Sequence, residues 1–384
     1  MMVLESREVV NKKKVLMCTV LAEAFYKSRG ELIKEFLRHG YEVILVAPEI
    51  YTFTASAFGK GKVIYYQINL NRTGLNPIND YQVITQLQKI IKKEKPELSY
   101  AFGGGKAAIY TTIASYKEKV PGNFCMINGL GSIFRGSGFK NSLVKLIMSK
   151  LFKFSLSKSK GVLFQNRDDL QEFISSGLVD PNKCIIVNGS GVNLDRFPYT
   201  KNSSKSTFLF VGRLLRDKGI YEFVEAAKIV KENYPDSEFW ILGGYDTNPT
   251  AVQESEISSW VESGLVKYFG KQEEILSFYQ KCSVFVLPSY HEGTPRTSLE
   301  AMAVGRPIIT TDVPGCRETV IDGKTGYMVS VKDSYQLAEK MIQFITNPDL
   351  ALEMGNNAHA YVVDKYDVNK VNKSIMDFLL DKHY

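Results

Sequence analysis

A chain of 384 residues exceeds what one hydrophobic core ordinarily organises, so two domains are expected. A hydrophobic content of 44% beside 23% charged residues excludes a disordered or fibrous chain, and five scattered cysteines without a C-x-x-C pair argue against a disulfide framework or a zinc site and fit a reducing cytosol. The net charge of +7 is uneven: residues 1–200 hold 28 basic against 16 acidic side chains and the remainder 20 against 25, so the first half suits a polyanion such as nucleic acid, an anionic membrane or a phosphorylated substrate.

Lys12-Lys13-Lys14 followed by V-L-M-C-T-V-L-A imitates a signal peptide, but Glu23 interrupts it and no small-residue cleavage site follows. Val15 to Val20 therefore reads as a first strand of a cytosolic chain, and no apolar run approaches the length of a membrane span. Ser28-Arg29-Gly30 is expected to cap a helix over Glu31 to Arg38, which His39-Gly40 ends before a strand over Glu42 to Ala47. The alternation continues with a strand at Val63 to Tyr66, a helix at Ile84 to Lys93, a strand at Leu98 to Ala101 and a helix at Ala107 to Ser115. Strands at Phe124 to Ile127 and Gly161 to Phe164, a helix at Asp168 to Ser175 and a strand at Ile185 to Val187 complete the half. Before Gly161 lies a basic segment, Lys140 to Lys160, whose apolar stripe is expected at Leu143, Ile147, Leu151 and Phe154. It suits either packing on the protein's own sheet or lying on an anionic leaflet.

The polar, Gly- and Pro-containing stretch Asn188 to Ser206 reads as a linker, dividing the chain at about residue 200. Strand, helix and strand resume at Thr207 to Val211, Ile220 to Asn233 and Phe239 to Leu242. A short element at Val266 to Phe269, a helix at Ile275 to Cys282 and a buried strand at Val284 to Leu287 follow. Thr294-Pro295 then reads as the N-cap and first residue of a helix over Thr297 to Val304, before a strand at Ile308 to Thr310. A final helix spans about Val368 to Leu380. Strands alternating with helices imply parallel sheets covered on both faces, hence an α/β protein of two doubly wound domains.

Two glutamates, Glu292 and Glu300, stand eight positions apart across the strand-to-helix junction at Val284 to Val304. Such a pair is ordinarily two solvated side chains, but the flanks are specific: Pro288-Ser289, Glu292-Gly293-Thr294-Pro295, Glu300-Ala301-Met302-Ala303, Gly305, Pro307, Gly315 to Glu318, and Asp322 to Gly326. About eighty residues upstream, Gly212-Arg213-Leu214-Leu215-Arg216-Asp217-Lys218-Gly219 follows a strand directly. Together these resemble the E-x7-E and G-R-x-x-x-x-K-G motifs of retaining glycosyltransferases of family 4. That resemblance implies the GT-B architecture: two Rossmann-like domains facing across a cleft, residues 1–200 for the acceptor and 201–365 for a nucleotide sugar, with helix 366–384 returning to the first.

The resemblance assigns roles. Arg213 and Lys218 would hold the donor diphosphate, with Gly212 in the same turn. Glu300 would accept from ribose hydroxyls and Glu292 from hydroxyls of the transferred sugar, with the N–H groups of Gly293 and Thr294 near the diphosphate. The base is expected near Gly270-Lys271-Gln272 and the Gly243 to Asp246 turn. Gly30 is a second candidate for the diphosphate, or a plain helix-start glycine. Gly103-Gly104-Gly105-Lys106 is not a Walker motif, because its spacing is wrong and no Ser or Thr follows; it reads as an ordinary turn, with Lys106 a candidate for an acceptor phosphate. Where many members of the family place a histidine or an acid, this chain carries Asn128, so no general base is evident; front-face attack, with the leaving phosphate taking the acceptor proton, fits that.

The overall pattern is most similar to bacterial transferases that extend undecaprenyl-diphosphate-linked oligosaccharides. The implied reaction moves a hexose or N-acetylhexosamine, with N-acetylgalactosamine favoured, from a UDP-sugar to a lipid-linked saccharide. Neither a metal nor a cofactor is expected, and the enzyme would sit peripherally on the cytoplasmic face of the inner membrane. Two alternatives remain open at this point: a nucleotide-sugar epimerase of the same architecture, or a transferase with a soluble acceptor. A nucleic-acid partner is not expected, since the basic half carries no recognition-helix, RNP or zinc-finger pattern.

Overall fold

A computed structural model describes residues 13–50, 57–58, 61–71, 76–128, 139–202, 206–246, 248 and 250–381, and for 139–143 the backbone only. The chain forms two compact units: 1–164 with 171–185 and 375–384, and 165–170 with 186–374.

The first unit is built on a seven-stranded sheet of β1 (Lys14–Cys18), β2 (Glu42–Ala47), β3 (Val63–Gln67), β4 (Leu98–Ala101), β5 (Gly122–Ile127), β6 (Gly161–Phe164) and β7 (Cys184–Ile186), in the order β3-β2-β1-β4-β5-β6-β7. Strands β1 to β6 pair in parallel. Every residue of β2, β4, β5 and β6 is buried, as runs such as E-V-I-L-V-A require when helices cover both faces. The end of the last helix, Val368–Asp381, packs here, with the Phe378 ring 5.9 Å from Phe124 above the bare Gly161.

The second unit holds a six-stranded sheet of β8 (Thr207–Val211), β9 (Glu238–Leu242), β10 (Lys267–Tyr268), β11 (Val284–Leu287), β12 (Ile308–Thr311) and β13 (Gly326–Val329), in the order β10-β9-β8-β11-β12-β13 and parallel throughout. Strand order reverses between β8 and β11. At such a switch point, outside the carboxyl ends of the strands, open α/β sheets form their ligand crevice.

Several local expectations are corrected. The helix expected at Ile84 begins at Pro77, because Asn76 caps it by accepting from the Ile78 and Asn79 amides at 3.1 and 3.2 Å, with proline at the first helical position. Ser28 does not cap the helix Gly30–Arg38; its hydroxyl turns back to the Ala24 carbonyl at 2.9 Å. Two helices occupy a stretch to which sequence assigned nothing: Ser334–Thr346, capped by Asp333, and Pro348–Lys365. In the basic helix Phe139–Lys158 the buried stripe is Met148, Phe152 and Leu156, not the one expected. Leu146, Ile147 and Phe154 are instead 53%, 41% and 49% exposed. The side chain of Leu143 lies outside the described residues.

Candidate active site

The crevice between β8 and β11 is assembled from two loops that glycine brings into contact. After β8 the chain makes a tight turn through Arg216–Lys218 into Gly219, whose φ is +74°. A Cβ at Gly219 would fall 2.0 Å from the Pro288 carbonyl, so only glycine lets this turn abut the loop that leaves β11. The Tyr290 amide and the Ser289 hydroxyl both donate to the Asp217 carbonyl, at 2.9 and 3.1 Å, and fix that contact. Lys218 Nζ is thereby delivered to the carboxylate of Glu292, and the two form a partly buried ion pair.

Glu292 is held from its other side by main chain. Its amide donates to Pro314 O at 3.1 Å, and Gly315, at φ +78°, leaves room for the Glu292 carbonyl that a Cβ would meet at 2.2 Å. The helix that follows is Arg296–Ala303, starting one residue later than expected. Pro295 is extended and is itself the N-cap, while the Thr294 hydroxyl donates to Gln165 O at 3.2 Å instead of capping.

Glu300 lies one turn into that helix, 5% exposed. Its oxygens accept from the Tyr279 hydroxyl and from Arg296 Nη2, each at 3.1 Å. Burial first, and Glu300 second, push the Tyr279 hydroxyl well above the ordinary tyrosine range, so it stays protonated and donates. Arg213 pairs with Asp246 at 3.0 Å, in the turn after β9. That turn lies against the one after β10: the Gly243 amide donates to Gly270 O at 3.0 Å, and Lys271 runs beside Gly244. The crevice thus presents Arg213, Lys218 and Arg296, each paired with a carboxylate. Among the described residues no group of three or more His, Cys, Asp or Glu side chains could hold a metal ion.

The model of "Glycosyl transferases group 1" matches residues 192–361, and that of "Glycosyl transferase 4-like" matches residues 14–166. The chain is 30% identical over 361 residues to the N,N'-diacetylbacillosaminyl-diphospho-undecaprenol alpha-1,3-N-acetylgalactosaminyltransferase of Campylobacter jejuni, spanning 90% of this chain and 93% of that relative. The chain belongs to the group 1 glycosyltransferase family.

A second relative of this glycosyltransferase, 26% identical over 79% of the chain and 80% of its own length, is the UDP-Gal:alpha-D-GlcNAc-diphosphoundecaprenol alpha-1,3-galactosyltransferase of Escherichia coli. Sucrose-phosphate synthase from Thermosynechococcus elongatus shares its fold, with a TM-score of 0.77 and 17% identity over 96% of this chain and 99% of that one. The architecture is GT-B.

In this glycosyltransferase Gly212, Arg213, Lys218, Glu292, Gly293, Thr294, Glu300 and Lys271 all lie in the second unit, on turns and a helix start around the carboxyl edge of its sheet. The three remaining candidates belong to the first unit. Gly30 is the buried first residue of its helix, and an added Cβ would meet only ordinary contacts there. Asn128 is exposed just after β5, and positions 129–138 lie outside the described residues. Lys106, the acceptor-phosphate candidate just after β4, is buried and paired with Asp80 at 3.0 Å.

Sequence reasoning missed Tyr279 and Arg296, which orient or neutralise the expected residues, and named the turn bearing Asp246 for the base, not for its pairing with Arg213. It also missed a buried group formed by Asn166, Asp169 and His291. The N-x-x-D spacing directly after β6 is a capping signature and marks two of those three.

Proposed function

We propose that this glycosyltransferase moves a hexose or N-acetylhexosamine from a UDP-sugar to an undecaprenyl-diphosphate-linked saccharide, with retention at the anomeric carbon and without a metal or cofactor. The observation that carries the donor half is the joint placement of Lys218, Glu292, Arg213 and Glu300 around the β8–β11 crevice. The names of the two relatives, whose acceptors are undecaprenyl-linked, support the acceptor half.

The chemistry follows from exchange of partners. A diphosphate draws Lys218 from Glu292 and Arg213 from Asp246, since two charges and several oxygens outcompete one carboxylate. Glu292, released, accepts hydroxyls of the sugar. Glu300, kept in place by Tyr279, accepts from the ribose. Gly293 and Thr294 offer N–H groups to the diphosphate, and the turns at Gly212 and Lys271 flank the nucleotide. As the C1–O bond to phosphate breaks, negative charge grows on the leaving oxygen, where the two cations stabilise it more than in the ground state. The acceptor oxygen bonds to C1 on the same face and its proton passes to the departing phosphate. That step needs no protein base, in keeping with Asn128 on the acceptor side.

The membrane enters through the helix Phe139–Lys158. Leu146, Ile147 and Phe154 stand out from its packed side, with Lys145, Lys150 and Lys153 exposed among them. An apolar, cation-flanked outer face suits the headgroup boundary of an anionic leaflet, and peripheral attachment there brings the enzyme to a lipid-borne acceptor. Among the described residues no helix is long and apolar enough to cross a membrane.

Replacing Lys218 or Arg213 with alanine is expected to slow transfer roughly a hundredfold or more, the usual cost of a lost charged donor at the transition state, while the melting temperature stays near the parent's. Turnover close to the parent's in either variant removes that residue from the site.

The two glutamates separate in a binding assay. Glu300→Ala should weaken binding of UDP itself, because product and substrate share the ribose. Glu292→Ala should leave UDP affinity close to the parent's and depress turnover of the intact donor. Equal loss of UDP binding in both contradicts this division.

Changing Lys145, Lys150 and Lys153 together to Gln is expected to weaken binding to anionic liposomes by about 1 kcal/mol per lysine, with activity on a short-chain soluble acceptor retained. Added salt should reproduce the loss with the parent protein, since the attraction is screened within a Debye length. Unchanged liposome binding in the triple variant assigns membrane contact to another surface.

A further inference from the structure

The loop bearing Glu292 is tied at three of its four residues 291–294 to one short segment, 165–169, within the same unit. Thr294 Oγ1 donates to Gln165 O at 3.2 Å, and Asn166 Nδ2 donates to Gly293 O at 3.0 Å. His291 Nε2 lies 3.3 Å from Asp169 Oδ1. The fourth residue, Glu292, is held through its amide by Pro314 O, which leaves its carboxylate to Lys218.

The segment is itself locked. Asn166 Oδ1 accepts the Asp169 amide at 2.8 Å, and Asn166 Nδ2 is shared with Asp169 Oδ2 at 2.7 Å. Asn166 is fully buried and Asp169 is 1% exposed. A carboxylate out of water costs several kcal/mol unless its oxygens are satisfied. The Asn166 oxygen caps the helix Arg167–Ser175 by taking the Asp169 amide, and beyond that cap the pair bonds to Gly293 and His291 in the loop that carries Glu292.

We infer that Asn166, Asp169 and His291 are positioning residues that hold the Glu292 loop in the conformation required for sugar transfer. The inference rests on the reading of Glu292 given above. It places the effect on the sugar and not on the nucleotide: UDP is gripped through Glu300 on the following helix, whereas the clamp fixes the peptides on either side of Glu292. A displacement of about 1 Å in a substrate-positioning group is enough to cost transfer a hundredfold.

His291 is 13% exposed at its side chain, so its variants test the clamp without emptying the core. His291→Ala is expected to lower kcat/KM for the UDP-sugar by roughly ten- to hundredfold, as losses of supporting hydrogen bonds do, while UDP affinity and melting temperature stay near the parent's. His291→Gln keeps an N–H donor toward Asp169 and should recover most of the rate, whereas Asp169→Asn should resemble His291→Ala. Amide exchange in the peptide 288–296 should accelerate in His291→Ala and stay unchanged in the strands. The inference is overturned if His291→Ala transfers at the parent rate, if it loses UDP affinity in step with transfer, or if Gln restores nothing. A parent that transfers no sugar contradicts the proposed function instead, and the exchange measurement still decides whether the clamp holds the loop.

Discussion

The pairing of Lys218 with Glu292 depends on two chain segments separated by about seventy residues leaving neighbouring strands at the same edge. A parallel sheet buried on both faces has no place for charge except at its ends. The doubly wound order makes one of those ends special, because strand order reverses between β8 and β11 and both of their following loops lie at that edge. Gly219 closes the last distance by letting the lysine turn lie on Pro288. With a side chain at that position the turn would stand off, and the cation would face water instead of the carboxylate.

This arrangement balances the formal charge gathered at that edge. Arg213, Lys218 and Arg296 are matched by Asp246, Glu292 and Glu300, so each of these cations is compensated. The two glutamates are supported differently. Glu300 is buried and fixed by the hydroxyl of Tyr279, which suits a constant task shared by substrate and product. Glu292 sits on a loop with its carboxylate on the lysine, which suits the change of partner proposed for it.

The motifs at Gly212 to Gly219 and Glu292 to Glu300 were legible because turn glycines, prolines and charged residues at fixed spacing are what a loop site at a sheet edge requires. Most strands were legible as apolar runs because burial on both faces leaves them no polar side, whereas Gly326–Val329, which opens on glycine, was not expected. What escaped the sequence has physical causes. The buried stripe of the Phe139–Lys158 helix was misassigned because apolar residues recur all round that helix, so spacing alone does not say which side meets the sheet. The pairing of Lys106 with Asp80 was not legible, because the two stand 26 residues apart in sequence. Tyr279 acts through a contact that only tertiary structure creates, as do the links of Asn166 and Asp169 to the Glu292 loop. The helices Ser334–Thr346 and Pro348–Lys365 carried ordinary start signals, Asp-Ser and Asn-Pro, that were overlooked rather than absent.

The basic first half and the balanced crevice of the second fit the proposed reaction, in which paired charges would grip a nucleotide sugar and a lipid-borne diphosphate would carry the acceptor. The direct test is to offer the protein UDP-sugars singly, with a chelator present, together with a synthetic short-chain polyprenyl-diphosphate saccharide, and to follow UDP release and the anomeric configuration of the product by NMR. The account requires UDP to appear only when the acceptor is present, and an α-linked product from an α-configured donor. UDP release or epimerised sugar without acceptor, or a β-linked product, would contradict it.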